Sequence, residues 1–400
     1  MILRKIDFSY LENELENVKV DRAVFSLFKE KSQILLFKIY NLDARGANIL
    51  KQEFLSAGGD VAISREVASF RTEKSDAILI GTKRVYKRII EKLSYMPYFG
   101  LKDVRMSLEK YLENTPLPIF EIRGKTFDFN SDKFVMGILN VTPDSFSDGG
   151  KFLNVEDALK HAEKMVAEGV DIVDVGGEST RPYSESVSVD EELRRVIPVI
   201  EAIRKEFPSI PISIDTYKSK VAEESINVGA DIINDISGLR FDPLMIDVAK
   251  RYNVPVITMH IKGTPKDMQR NPHYDDLMKE LLEYFEERIN FLSSFGIDKI
   301  IIDPGIGFGK TKEHNLEILN KLHEFTIFNK PILVGLSRKS FIGFTLDNRP
   351  VDDRLYGTLA SNMFSLIKGA SILRVHDVLP HKDMIRMYRA IISEGKGDNR

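Results

Sequence analysis

Cysteine and tryptophan are both missing from this 400-residue chain. Without cysteine there are no disulfides, no thiolate metal sites and no cysteine nucleophile. Histidine is scarce, seven in all, and no pair has the spacing of a zinc-binding helix. No apolar run approaches the length that spans a bilayer, and the opening stretch Met1–Asp7 holds no apolar signal core. The expected setting is therefore cytoplasmic, with no membrane partner. Excess charge is lacking too: 57 basic against 60 acidic residues leave a formal net charge of -3, which offers no field to gather nucleic acid. What is present, 43% hydrophobic and 29% charged residues, suits a chain with a sizeable buried core.

From about Lys133 onward, short apolar runs alternate with longer amphipathic segments. The runs Phe134–Asn140, Asp171–Gly176, Pro211–Asp215, Asp231–Asp235, Val254–His260, Lys299–Asp303, Pro331–Leu336 and Ser371–His376 are rich in Ile and Val, as parallel strands buried on both faces must be. Helical patterns lie between them, at Val155–Glu168, Glu191–Phe207, Asp275–Ser294 and Leu355–Lys368, with Gly169, Gly229 and Gly296 each just ahead of a strand. Eight such units favour a closed barrel over an open doubly wound sheet.

The fold class is thus α/β: a (β/α)8 TIM barrel over 133–400 and a smaller N-terminal α/β domain over 1–118, joined by a linker and lead-in segment over 119–132. In the first part, Ala23–Phe28, Gln33–Tyr40, Asp60–Ser64 and Ala77–Gly81 read as strands. Ala44–Ala57, Tyr86–Leu93 and Leu101–Leu112 read as helices.

Barrel enzymes carry their chemistry where strands end and loops begin, and the polar residues of this chain collect there. Asn140, Gly176–Pro182, Asp215, Asn234, His260, Asp303, Ser337–Ser340, Arg374 and His376 all stand at such points. Singly, each has a plain structural reading: a strand-end Asp caps a helix or fixes a turn, and a lone His such as His260 is a satisfied packing residue. Together they point to one polar pocket. Asp215, Asn234 and Asp303 suit the donor-rich edge of an aminated heterocycle. Arg181, Arg374, His376 and Arg338 can hold phosphate oxygens, with Asn140 assisting or meeting a divalent cation. Lys339 can polarise a ring carbonyl or steady a leaving group. The run Gly305–Thr311 imitates a P-loop, but Pro304 stands where the first glycine belongs and Lys310 spoils the dinucleotide pattern. Its glycines read as a tight turn or a close backbone approach.

These segments closely resemble dihydropteroate synthase, the folate-pathway enzyme family targeted by sulfonamides. MGILNVTPDSFSDGG at Met136–Gly150 resembles its first signature and DIVDVGGESTRP at Asp171–Pro182 its second. The resemblance continues through ISIDTYKSKVA, IINDISG, MHIKGTPKDMQ, DPGIGFGK, GLSRKSFIG and LRVHD. It implies a transferase that condenses 6-hydroxymethyl-7,8-dihydropterin pyrophosphate with p-aminobenzoate, releasing pyrophosphate and 7,8-dihydropteroate. Carried over motif by motif, it implies pterin contacts at Asp215, Asn234, Met259, Asp303 and Lys339. Pyrophosphate and Mg2+ fall to Asn140, Arg374 and His376, with Asn140 the metal contact. The p-aminobenzoate site is implied at Phe146, Thr180, Arg181, Pro182, Phe308 and Ser340, completed by closure of the first two loops with Gly149-Gly150 as a hinge. Asp303, Lys339 and Arg374 are the implied catalytic residues, and a homodimer the implied assembly.

Residues 1–130 lie outside the resemblance, and a structural or oligomer-contact role is expected of them. Other readings stay open: a pterin-dependent methyltransferase module, a synthase using a modified arylamine, a barrel aldolase with Lys339 as Schiff-base nucleophile, or a pterin-binding protein without turnover.

Overall fold

The computed structural model describes residues 2–69, 71–113, 115–142, 155–179 and 184–394. The chain forms two compact units, Met1–Thr115 with Ala390–Arg400, and Pro116–Arg389. Among the described residues, no helix is long and apolar enough to cross a membrane.

In the first unit, strands β1 (Ile34–Asp43), β2 (Asp60–Ile63) and β3 (Lys74–Thr82) form an antiparallel sheet in the order β1-β3-β2. The helix Ala44–Ala57 begins where the Asp43 side chain accepts from the Arg45 amide, and it ends at Gly58, whose φ of 90° only glycine adopts freely. Helix Lys83–Leu93 buries Val85, Tyr86, Ile89 and Leu93 along one face, and these pack with Leu50, Phe54 and Leu79. One expectation is overturned. Ala23–Phe28 is not a strand; it is spanned by a 3-10 turn at Arg22–Val24 and a helix at Phe25–Ser32. The Asp21 carboxylate caps this start by accepting from the Ala23 amide, and a short apolar run carries too few residues to separate the two periodicities.

The second unit opens with a hairpin, β4 (Ile119–Ile122) and β5 (Lys125–Asp128), in the stretch read from sequence as linker. The barrel strands follow: β6 (Phe134–Asn140), β7 (Ile172–Gly176), β8 (Ile212–Asp215), β9 (Ile232–Asp235), β10 (Val256–Met259), β11 (Ile300–Asp303), β12 (Leu333–Val334) and β13 (Ile372–Val375). All neighbours are parallel, and β13 pairs with both β6 and β12. A bridge between Ile302 and Ile332 closes the ring. Helices intervene as the pattern anticipates, and Gly169, Gly229 and Gly296 each turn the chain at positive φ.

Side chains alternate across each strand. Outward residues such as Val173, Val175, Ile212 and Ile214 pack beneath the helices. Inward residues fill the barrel in layers. The lowest layer, Met136, Ile172, Ile232, Ile257, Ile301, Leu333 and Ile372, clusters with Phe120, Ile122, Phe127 and Phe129 from the hairpin region. That segment therefore stoppers the N-terminal end of the barrel, each buried Phe contributing about 1.5–3 kcal/mol.

Candidate active site

Two residues above that layer, four of these strands turn polar and β10 presents Met259. Ile172 is followed by Asp174, Ile232 by Asn234, Ile257 by Met259, Ile301 by Asp303 and Ile372 by Arg374. The strand registers set Asn140 beside Gly176, Gly176 beside Asp215, Asp215 beside Asn234, and Met259 beside Asp303. Gly176 leaves an opening between its neighbours: a methyl built there would lie 3.7 Å from both Asn140 Oδ1 and Asp215 Oδ2.

Arg374 is the hub of the floor. Its Nε donates to Asp174 Oδ2 and its Nη2 to Asp215 Oδ2, each at 2.6 Å. Asn234 Nδ2 donates to Asp174 at 3.2 and 3.4 Å. Asp215 Oδ1 is buried with no hydrogen-bond partner among the described residues, and an unpaired buried acceptor calls for a ligand or water. Asp303 Oδ1 accepts the Gly305 amide at 2.8 Å. Lys339 Nζ donates to the Ile306 carbonyl and lies 4.5 Å from the centre of the Phe308 ring. Met259 packs with Ile236, Ile261 and Met268, flanked by Tyr217 and Phe308.

Burial dominates the titration of these groups. It raises the Asp215 carboxyl to about 7, against the pull of Arg374 and with the help of Asp174. It raises Asp303, opposed by Lys339, and lowers Lys339 to about 8, opposed by Asp303. For Arg374, burial works against the charge, yet Asp174 and Asp215 outweigh it and raise its pKa. The floor therefore holds one permanent cation beside Asp215, whose carboxyl burial raises to about 7, a setting found at sites that do chemistry.

Asp215, Asn234, Met259, Asp303, Lys339 and Arg374 thus share one cup. Above it, His376 Nδ1 lies 3.0 Å from Ser337 Oγ, and Ser340 opens the short helix Ser340–Thr345 as an exposed residue. Arg338 departs from the phosphate-binding reading. It is held by Asp377 at 2.7 and 3.2 Å and by Asp352 at 3.3 Å, so its charge is already matched. Phe146, Gly149, Gly150, Thr180, Arg181 and Pro182 lie outside the described residues.

Sequence reasoning missed Asp174, although a signal existed: it is the sole charged residue within β7. A cavity of about 480 Å³ also opens at the rim, lined by Glu178, Tyr217, Phe241 and Thr264 among others. Tyr217 borders both it and the Met259 cluster, its hydroxyl donating to Glu178 at 2.8 Å.

Comparison with known proteins adds to this geometry. Residues 136–376 match the model of a family described as pterin binding enzyme. The chain is 48% identical over 275 residues to a dihydropteroate synthase of Clostridium beijerinckii, a match covering 68% of this chain and 99% of that protein. It is similar to a solved dihydropteroate synthase of Xanthomonas albilineans with 4-aminobenzoic acid, at 41% identity and a TM-score of 0.64, covering 69% of this chain and 98% of the other. A probable bifunctional folylpolyglutamate synthase/dihydropteroate synthase of Haloferax volcanii is 41% identical over 347 residues, 84% of this chain and 40% of that one. That similarity extends beyond the barrel into the N-terminal unit.

Proposed function

Since the chain belongs to the pterin-binding enzyme family and, within it, to the dihydropteroate synthases, we infer that its cup is where a pterin pyrophosphate and an arylamine are joined. The enzyme is a transferase of folate biosynthesis. It condenses 6-hydroxymethyl-7,8-dihydropterin pyrophosphate with p-aminobenzoate to give 7,8-dihydropteroate and pyrophosphate. The observation that carries the reading is the floor itself: Asp174, Asp215 and Asn234 gathered about Arg374, with Asp215 Oδ1 buried and without a hydrogen-bond partner among the described residues. Such acceptors match the amino and ring N–H donors of a pterin.

In this reading Asp215, Asn234 and Asp303 grip the donor edge, Met259 lies against the ring, and Lys339 holds the ring carbonyl. The C–O bond to pyrophosphate breaks first, leaving a cation on the pterin methylene that Asp303 offsets. The arylamine nitrogen then forms the new C–N bond and sheds its proton to water or the released pyrophosphate. An activated carbon spares the site a strong base. Arg374 and His376 steady the departing anion, and Phe308 and Ser340 border the arylamine together with Phe146, Thr180, Arg181 and Pro182.

Mg2+ fits the donor set as a guest of the substrate. Asn140 offers one hard amide oxygen at the rim, and no three acidic or histidine side chains gather to hold an ion among the described residues. A Mg2+ ion ligated mainly by pyrophosphate oxygens and water would neutralise charge on the leaving group. A homodimer is proposed as the assembly, with exposed Phe344, Val351 and Tyr356 as candidates for its contact. A cytoplasmic setting fits the small, charged substrates, and a structural or oligomer-contact role is proposed for the N-terminal unit.

The direct test supplies the purified chain with the pterin pyrophosphate, p-aminobenzoate and Mg2+, and looks for dihydropteroate by chromatography. Formation of product is expected; none at millimolar substrate defeats the assignment.

A further inference from the structure

The glycine-rich run that imitates a P-loop carries Phe308, and its backbone is fixed from several sides. A methyl on Gly305 would fall 1.9 Å from the His260 carbonyl oxygen, and one on Gly309 2.4 Å from that of Lys262. Both residues have positive φ, +70° and +66°, so glycine is required twice over. The loop after β11 therefore runs directly against the loop after β10.

Four consecutive carbonyls of this loop end on side-chain donors. Ile306 O accepts from Lys339 Nζ, Gly307 O from Gln269 Nε2 at 2.7 Å, Phe308 O from Lys310 Nζ at 3.0 Å and Gly309 O from Tyr274 OH at 2.8 Å. Lys310 is only 2% exposed. Its Nζ also reaches His260 Nδ1 at 2.9 Å and His260 O at 3.2 Å, so the amine nitrogen lies within hydrogen-bond distance of three partners. Burial pushes the Lys310 pKa far down and Asp303 pulls it back, while burial lowers the His260 pKa to about 2. Burying a lysine is costly, and a methionine would fill the same space. What the methionine cannot do is tie the Phe308 carbonyl to the His260 backbone just after β10.

We propose that Lys310 is a positioning residue for the arylamine, fixing the 305–309 loop through the Phe308 carbonyl so that the Phe308 ring keeps its place at the rim. It touches neither substrate; it acts through Phe308. This inference rests on the reading that Phe308 borders the arylamine.

The test uses Lys310→Met in the full chain. Steady-state rates are measured with p-aminobenzoate varied at saturating pterin pyrophosphate, and binding of pterin pyrophosphate alone is measured by calorimetry. The expected result is a rise of about tenfold in the KM for p-aminobenzoate with pterin affinity changed less than about twofold. An unchanged KM, or equal losses for both substrates, overturns the proposal. Tyr274→Phe frees only the Gly309 carbonyl and covers the case in which Lys310→Met does not fold: a selective rise of about threefold in the same KM is expected, and none at all is equally fatal. Wild-type turnover separates the two levels, because a wild-type chain without product defeats the functional reading itself, whereas an active wild type with indifferent variants defeats only the role of Lys310.

Discussion

The two ends of the barrel interior are built from the same strands and differ in everything else. At one end Ile172, Ile232, Ile257, Ile301 and Ile372 meet the hairpin's phenylalanines. One inward step along each strand, about 7 Å, stand Asp174, Asn234, Met259, Asp303 and Arg374. The apolar end gains stability from dense packing; the polar end spends part of it on buried charge. The lesson is that a rigid stopper beneath the cup allows carboxylates and a guanidinium to be held without water to reorganise around them.

That contrast can be broken from the polar side first. Asp303→Asn with Lys339→Ala, each alone, is expected to lower kcat/KM by about 10³-fold or more while circular dichroism and the thermal midpoint stay near wild type. Comparable losses of fold and activity would deny the cup its separate role. From the apolar side, Phe129→Ala, at 1% exposure, is expected to cost about 3–4 kcal/mol in urea unfolding with KM values unmoved. A Phe129 variant that unfolds at the wild-type urea midpoint would show that the hairpin is no stopper. The mildest probe is pH. Lys339 titrates at about 8, so its charge is present below that value and lost above it. The kcat/KM for pterin pyrophosphate should therefore fall about tenfold per unit above pH 8, and Lys339→Arg should move that limb upward. A flat profile to pH 10 would remove Lys339 from the pterin contacts.

Much of the fold was legible because its signals are local. Phe134–Asn140, Ala44–Ala57 and Leu101–Leu112 occur with the bounds the pattern suggests, since capping residues and β-branched runs act over a few positions. The six-residue run Pro331–Leu336 shrinks to a two-residue β12, because strand length depends on what the neighbours pair with. The hairpin before β6 was read as linker for a related reason: the partners of Phe127 and Phe129 include strand residues scattered up to Ile372. In the cup, residue types at strand ends were visible, but pairings were not. Arg374 and Asp174 lie 200 positions apart, and Lys310 was dismissed with its glycines because its acceptor, His260, belongs to another strand. Arg338 misled in the opposite direction, as Asp377 and Asp352 satisfy it within the protein.

The strict two-residue alternation inside the barrel has a consequence for how the chain finds its shape. A strand that zipped up one position out of step would turn Asp174, Asp215 or Asp303 toward the helices and Val173, Ile214 or Ile302 toward the centre. An unpaired charge pressed into that apolar layer costs several kcal/mol, so the very side chains that handle substrate also penalise every mis-threaded version of the ring.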